Sequence, residues 1–330
     1  MHELISTHTT NWNNGLWYAY SDHLKNRFGE KVYKLTVSAG FTCPTRDGTR
    51  GTEGCAFCDE RGSASYFSSE RASLEIKKQL QNSMPGVRSR FRAEKFLAYF
   101  QSFTNTYGPI SYLREVYDGA VNVENVVGMA VGTRPDCLSN EVLQLLSQYA
   151  SNRYMSLEIG LQSFDNETLE FYQRGHSVEE GFDAIERAKK YPELQLSIHL
   201  MVGSEPEMRK LSQASNSQLE EHAARNARIV NRMNVHGVKI HQLMILKDTI
   251  LAKRFAIKPW PVFELDRYNY YIMKFLEHLK PEIHIERTHA LSSHPDELIT
   301  PRWSAQRYDM HNGLKKMMQD HASFQGKHFS

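Results

Sequence analysis

Six short β-rich segments recur along this chain with helical patterns between them, and this alternation restricts the possible folds more than any other feature. They are residues 31–38, 95–103, 126–133, 155–163, 195–203 and 237–245. Ser139, Ser177 and Ser217 each stand at the predicted start of an intervening helix, the last two within capping boxes. Because parallel neighbours need crossover connections, the alternation predicts a parallel sheet. The residues alone fit an incomplete (β/α) barrel or an open doubly wound sheet.

Two extensions flank this array, which occupies residues 31–255. Residues 1–30 carry several aromatic side chains and predict a helical extension packed on the barrel. Residues 256–330 predict a C-terminal extension with a helix over 264–279 and a strand over 282–287. The chemistry of either candidate fold lies beyond the C-terminal ends of the strands, so those loops should carry the functional residues.

The composition excludes several classes of protein. The 330 residues carry a net charge of +2, which gives no general sign of a nucleic-acid or membrane surface. No apolar run approaches ~18 residues, and the first residues do not read as an export signal. We therefore expect a cytoplasmic protein, in which clustered thiols bind metal or carry out redox chemistry more often than they form disulfides.

Three of the four cysteines, Cys43, Cys55 and Cys58, fall in one loop after the first predicted strand. Cys55 and Cys58 alone could form a redox CxxC pair. With Cys137 or a histidine as fourth ligand, the three could hold a structural zinc. They could also hold a [4Fe–4S] cluster with one iron open to a small molecule, with Phe57 shielding it from water. Glycines 48, 51 and 54 would let the loop wrap closely around such a cluster.

Several motifs together resemble a known family. They are GFTCPTRDGT, GCAFC, YFQSFTNTY, VGTRPDC, LEIGLQS, RGH, HLMVG and VKIHQLMILKDTILA. They are similar to the YhcC-like proteins of the radical S-adenosylmethionine (SAM) superfamily. That superfamily usually spaces its cysteines C-x3-C-x2-C, whereas the first gap here is eleven residues, as in the subgroup that includes the catalytic subunit of Elongator.

The resemblance implies an α/β fold, an incomplete (β/α)6 TIM-type radical SAM barrel. It implies a [4Fe–4S] cluster and SAM as cofactors. It also implies a reaction in which SAM is cleaved to a 5′-deoxyadenosyl radical that abstracts hydrogen from a substrate, with tRNA as a candidate. A reductant protein such as flavodoxin or ferredoxin would supply the electron, and no membrane would take part.

The resemblance also assigns roles to residues. It makes Cys43, Cys55 and Cys58 the cluster ligands. Gln162 matches a strand-end glutamine that contacts SAM, and Glu158 shares its sheet face. Arg174, in the RGH motif, matches an arginine that pairs with the SAM carboxylate. Gln101 and Asn105 end the second strand, where the superfamily binds the SAM amino group. The chain departs from the superfamily pattern at the second strand, where the usual Gly-Gly-Glu is absent, and after the fifth, which reads Gly-Ser-Glu-Pro-Glu over 203–207.

Each assignment has a structural alternative. Glu158 could pair with a lysine or arginine inside the barrel, and His176 and His199 could be core or capping residues. Cys137 could be structural, a radical-quenching thiol or a fourth ligand. The basic tract at 88–92 fits a solvated helix face better than an RNA contact. A second hypothesis for the whole chain is a non-catalytic, zinc-stabilised RNA-binding protein, which its near-neutral charge disfavours.

Overall fold

We describe a computed structural model of the chain, covering residues 12, 15–62, 75–292 and 294–329. Nine strands lie in this part of the chain: β1 Val32–Val37, β2 Lys95–Phe100, β3 Val126–Thr133, β4 Tyr154–Gln162, β5 Gln195–Val202, β6 Gly237–Gln242, β7 Ile245–Leu246, β8 His284–Arg287 and β9 Leu298–Thr300. Seven of them form one sheet in the order β1-β2-β3-β4-β5-β6-β8. The pairs β1–β2, β2–β3, β3–β4 and β6–β8 are parallel, whereas β7 and β9 form a separate antiparallel pair.

Eleven α-helices accompany these strands within the same described residues. They are α1 Tyr20–Phe28, α2 Ile76–Phe91, α3 Ile110–Val121, α4 Asn140–Ala150, α5 Asn166–Phe171, α6 Val178–Ala188, α7 Glu205–Leu211, α8 Asn216–Met233, α9 Ile250–Ile257, α10 Leu265–His278 and α11 Arg307–Asp320. All six strands predicted from the sequence are present. A seventh, β8, joins them from the predicted C-terminal strand, because it pairs with β6.

Two of the three serines predicted to cap a helix do so. Ser139 caps α4, and Ser177 caps α6 in a capping box with Glu180. The prediction at Ser217 is wrong, because Ser215 caps α8 and Gln218 completes its capping box. Both serines are followed three residues later by Glu or Gln, so the local pattern could not choose between them.

The chain divides into two compact units. The first comprises residues 24–161 and 173–199, and holds β1 to β4, most of β5 and the cysteine loop. Strands β2, β3 and β4 are largely buried and mostly apolar, as expected for a sheet covered on both faces. Helix α6 packs tightly on β4, because a Cβ added at Gly181 would lie 3.0 Å from the Leu161 side chain. A larger residue at this position would require the Leu161 side chain to shift.

The second unit comprises residues 162–172 and 200–330, together with the chain before residue 24. Gln325 connects Tyr18 to the segment before β8. The Gln325 side chain accepts a hydrogen bond from the Tyr18 amide and donates to the carbonyls of Lys280 and Ile283. Ile285 of β8 also donates its backbone N–H to Tyr18. Tyr18 is thus attached to β8, and Gln325 to the segment before it.

The basic tract at 88–92 lies at the end of α2. Arg88 pairs with Glu94 at 3.0 Å, and the Arg90 guanidinium lies over the Phe91 ring. Arg92 is the exposed left-handed residue that ends the helix. These contacts agree with a solvated helix face.

Candidate metal centre

The loop that carries the three cysteines is held in shape by its own backbone. Hydrogen bonds run from Arg46 N to Cys43 O, from Gly54 N to Thr45 O and from Cys58 N to Cys55 O. Gly54 has φ +81°, and a Cβ there would lie 2.9 Å from Nε of Arg46, so a larger residue fits neither the backbone nor the space. The eleven residues between the first two cysteines therefore form a compact folded turn.

Two arginines converge on Cys55, which is almost fully buried. Nη1 of Arg174 lies 3.2 Å from the Cys55 sulfur, and Nη1 of Arg134 lies 3.6 Å from it. Burial opposes ionisation of Cys55, but the charges of Arg174 and Arg134 outweigh it and lower the pKa of the thiol below its ordinary value. This site favours a thiolate, the form in which cysteine binds metal.

Arg174 is buried without a carboxylate partner among the described residues. Its Nη2 donates to the Gly160 carbonyl at 2.8 Å, and its Nε donates to Nε2 of His176 at 3.2 Å. Burial, and then the charge of Arg174, lower the pKa of His176 to about 3, so this imidazole is neutral. Buried charges are normally paired, and Cys55 is the partner of Arg174 that can carry the balancing negative charge.

Sequence reasoning missed Arg134, although it lies within the VGTRPDC motif. Its Nε and Nη2 bind the two carboxylate oxygens of Asp136 at 2.9 and 3.0 Å. Nη2 also donates to the Arg174 carbonyl. Asp136 in turn lies 3.2 Å from Nε of Arg50, a residue of the cysteine loop. Recognising Arg134 would have required the position of this motif relative to Cys55, which a linear pattern does not contain.

The other cysteines have different surroundings. Cys43 is half-buried and lies 3.0 Å from the Thr104 hydroxyl, and burial raises the pKa of its thiol. Cys58 and Phe57 are also half-buried. Cys137 is buried, which raises the pKa of its thiol to about 12 and agrees with the structural alternative. Cys43 and Cys55 therefore differ in acidity, and the more acidic thiol, Cys55, lies beside two cations.

Within the described residues, no group of three or more His, Cys, Asp and Glu side chains is placed to bind a single metal ion. Thiolates on one zinc sit at bonds of about 2.3 Å and are therefore close together. In an iron–sulfur cluster, each cysteine binds a different iron, which allows a wider spacing. Three thiols in one folded loop, with cations beside the most buried, suit an anionic thiolate cluster.

Glu158 of β4 lies at the centre of a buried polar group in the first unit. Its carboxylate, which is fully buried, binds Nζ of Lys34 at 2.5 Å, the Tyr99 hydroxyl at 3.0 Å and Nε2 of His199 at 2.8 Å. Strands β1, β2, β4 and β5 each supply one of these four residues. The lysine pairing expected as the structural alternative is present. The contact with SAM predicted for Glu158 stays a prediction.

The end of β2 is tied to its neighbours by Asn105. The Asn105 side chain donates to the carbonyls of Phe100 and Gly132, at 3.1 and 2.9 Å. Gln101 follows β2 directly and is half-buried. Asn105 therefore fixes the strand end, and the contacts with SAM predicted for both residues remain predictions.

Two strand ends in the second unit have special backbone features. Gln162, the last residue of β4, has φ +68°, an uncommon conformation for a residue with a side chain. After β5, Ser204 and Glu207 form a capping box at the start of α7, which the sequence analysis did not identify. Buried Glu207 also accepts the Gly203 N–H, so one carboxylate organises this turn.

Comparison with known proteins identifies the family. YhcC of Escherichia coli (strain K12) is 35% identical over 306 residues, which cover 92% of each chain. The chain belongs to the YhcC-like family of radical SAM enzymes. In agreement, residues 235–320 match the description "Radical_SAM C-terminal domain".

A short sequence match and a structural match extend beyond this family. The tRNA uridine(34) acetyltransferase of Methanocaldococcus jannaschii is 40% identical over 78 residues, 23% of this chain and 14% of that protein. The solved structure of Methanocaldococcus infernus Elp3, with an N-terminal deletion, matches with a TM-score of 0.64 at 14% identity. That match covers 89% of this chain and 64% of the Elp3 chain, and it confirms the predicted incomplete α/β barrel.

No helix in the described part of the chain combines the length and apolar character needed to cross a membrane.

Proposed function

We propose that this enzyme binds a [4Fe–4S] cluster through Cys43, Cys55 and Cys58 and uses it to cleave SAM reductively. The observation that carries the proposal is the contact of Arg174 with Cys55. A buried cation with neutral partners beside a favoured thiolate supports a site that receives further negative charge. When bound, the cluster would pass one electron to the SAM sulfonium, which releases methionine and a hydrogen-abstracting 5′-deoxyadenosyl radical.

The protein would hold and orient SAM while excluding water. Arg174 is proposed to bind the SAM carboxylate, because its planar fork of donors suits that group and its partners other than Cys55 are neutral. His176 would fix the guanidinium by accepting from Nε while its Nδ1–H donates to the Ser177 carbonyl. The tautomer with hydrogen on Nδ1 satisfies both contacts.

The remaining proposed SAM contacts involve residues at or near the ends of β2 and β4. For Gln162, the support is its left-handed backbone at a strand end, since such conformations cluster at functional sites. Glu158 and Gln101 are proposed to contact SAM, with Phe57 shielding the cluster. Asn105 would act through the backbone of the β2 end, which its amide holds.

The decisive experiment is SAM cleavage by anaerobically reconstituted protein. With dithionite, the wild type should convert SAM to 5′-deoxyadenosine and methionine in equal amounts. Cys55→Ala should lose the activity and most of the bound iron, whereas Cys137→Ala should retain both. Protein that carries a full complement of iron and sulfide yet cleaves no SAM would contradict the proposal. One zinc per chain and no iron would favour the zinc-stabilised alternative.

We further propose tRNA as the substrate class and a flavodoxin- or ferredoxin-type protein as the electron donor. The support for tRNA is the local similarity to a tRNA uridine(34) acetyltransferase. Total tRNA from cells grown in deuterated medium should transfer deuterium to 5′-deoxyadenosine during turnover. Deuterium transfer from the small-molecule fraction of the same cells, and none from tRNA, would contradict this assignment.

A further inference from the structure

We propose that Arg134 is a positioning residue of the metal centre, which holds Cys55 from the end of β3 and favours the reduced state of the cluster. This inference rests on the proposed function. It concerns a side chain that touches a cluster ligand and acts on the cluster through it. The role is distinct from that of Arg174, because the two guanidiniums have different partners.

The contacts of Arg134 leave it little freedom. Its side chain is 3% exposed, and the two oxygens of Asp136 bind Nε and Nη2. Nη1 points to the Cys55 sulfur, and Nη2 also reaches the Arg174 carbonyl. A planar fork fixed on one side by a bidentate carboxylate presents its remaining donor in a defined direction. The donor that faces Cys55 is therefore preorganised.

Asp136 connects this guanidinium to the cysteine loop itself. Its Oδ2 lies 3.2 Å from Nε of Arg50, while Nη2 of Arg50 bonds to Glu180 at 2.8 Å. The loop is thereby attached to the end of β3 and to the N-terminus of α6. The contact between Cys55 and Arg134 is thus held by three linked chain segments: the cysteine loop, the end of β3 and the start of α6.

The charge of Arg134 has a consequence for electron transfer. Reduction adds one electron to the cluster and breaks no bond to the protein, so the negative charge next to Cys55 increases by one. Hydrogen bonds and positive charge at a ligand sulfur stabilise that extra charge and raise the reduction potential. Asp136 has the opposite sign and reduces the effect. Neutral substitutions of Arg134 and Asp136 should therefore shift the reduction potential of the cluster in opposite directions.

The test is an EPR-monitored redox titration of anaerobically reconstituted protein without SAM, with iron and sulfide measured on the same samples. Arg134→Gln should lower the equilibrium constant for one-electron reduction about tenfold, which corresponds to ~59 mV. Asp136→Asn should raise that constant, and Arg134→Lys should lie between Arg134→Gln and the wild type. Arg187→Gln is the matched control, since Arg187 binds the Leu138 carbonyl just after β3 and has no contact with Cys55.

The outcomes separate this inference from the proposed function. Opposite shifts for Arg134→Gln and Asp136→Asn, with wild-type potential in Arg187→Gln, support it. Equal potentials in the wild type and Arg134→Gln, both fully loaded, would overturn the inference and leave the proposed function standing. So would shifts of the same sign in Arg134→Gln and Asp136→Asn. If Arg134→Gln fails to load, Arg134→Lys and Asp136→Asn supply the comparison. A wild type that binds no cluster would overturn both proposals.

Discussion

Nη1 of Arg174 lies 3.2 Å from the Cys55 sulfur, and this contact joins the loop after β1 to the segment between β4 and α6. Each of the two buried groups needs a partner of opposite charge. A buried guanidinium needs an anion, and a buried thiol needs a cation to ionise. Each supplies what the other lacks.

Replacing Arg174 should weaken SAM binding more than it weakens cluster binding. Arg174→Gln should raise the dissociation constant of SAM at least about tenfold, because a charge-assisted hydrogen bond is worth roughly 1.5–3 kcal/mol. Arg174→Lys should recover part of this loss, since it keeps the charge but lacks the fork. The measurement is a SAM titration of reconstituted protein with equal iron content. An unchanged dissociation constant in Arg174→Gln would show that the guanidinium serves only Cys55.

His176 should make the fold sensitive to acid. Its pKa in the folded protein is about 3, below the usual value of 6.5, so the unfolded chain takes up a proton that the folded protein rejects. Its contribution to stability is therefore complete above pH 6.5 and falls as the pH drops toward 3. Between pH 7 and pH 5, this loss should amount to about 2 kcal/mol.

His176→Gln tests this directly, since glutamine keeps an acceptor for Arg174 and does not titrate. Urea denaturation at pH 7 and pH 5 gives the change in unfolding free energy between the two pH values, for the variant and for the wild type. The unfolding free energy of the variant should fall by about 2 kcal/mol less than that of the wild type. Parallel losses in the two proteins would mean that His176 does not titrate as described.

The buried Glu158 pair should matter far more for stability than an exposed pair. Glu158→Ala leaves Lys34 and His199 without their carboxylate, and breaking a buried pair in this way costs about 3–5 kcal/mol. Glu94→Ala removes the partner of Arg88 on the surface and should cost at most about 1 kcal/mol. The free energies of unfolding in urea provide the comparison. Equal losses in the two variants would contradict the buried network.

The turn after β5 should depend on Ser204. Its hydroxyl accepts from Glu207 N and donates to the Glu207 carboxylate, and the whole group is buried. Ser204→Ala should cost about 1–2 kcal/mol of unfolding free energy. Ser215 forms a comparable box at the exposed start of α8, so Ser215→Ala should cost less. A larger loss of unfolding free energy in Ser215→Ala than in Ser204→Ala would show that burial does not strengthen the cap.

The strands were predictable because they depend on local patterns. Runs such as 126–133 are too short and too apolar for surface helices, and the helical patterns between them required parallel pairing. The choice between an incomplete barrel and an open doubly wound sheet was not local. The resemblance favoured the barrel, and the match to the Elp3 structure confirms it.

The contact of Arg134 with Cys55 and the cap at Ser215 could not be predicted because they depend on longer-range geometry. Arg134 is 79 residues from Cys55 in the chain, and only the parallel packing of β1 to β3 brings their loops together. Ser215 and Ser217 carry equivalent capping patterns, and the position of α8 decides between them. By contrast, Ser177 had no competing neighbour, and the prediction there is confirmed.

The account depends most on a three-thiolate cluster with one iron open to SAM. The most direct measurement is the EPR spectrum of the reduced, reconstituted protein before and after SAM is added, with Cys43→Ala, Cys55→Ala and Cys58→Ala as controls. We predict about four irons and four sulfides per wild-type chain, a cluster signal that changes on SAM addition, and loss of the signal in each variant. A wild-type signal that SAM leaves unchanged, or one that survives loss of any of these cysteines, would contradict the account.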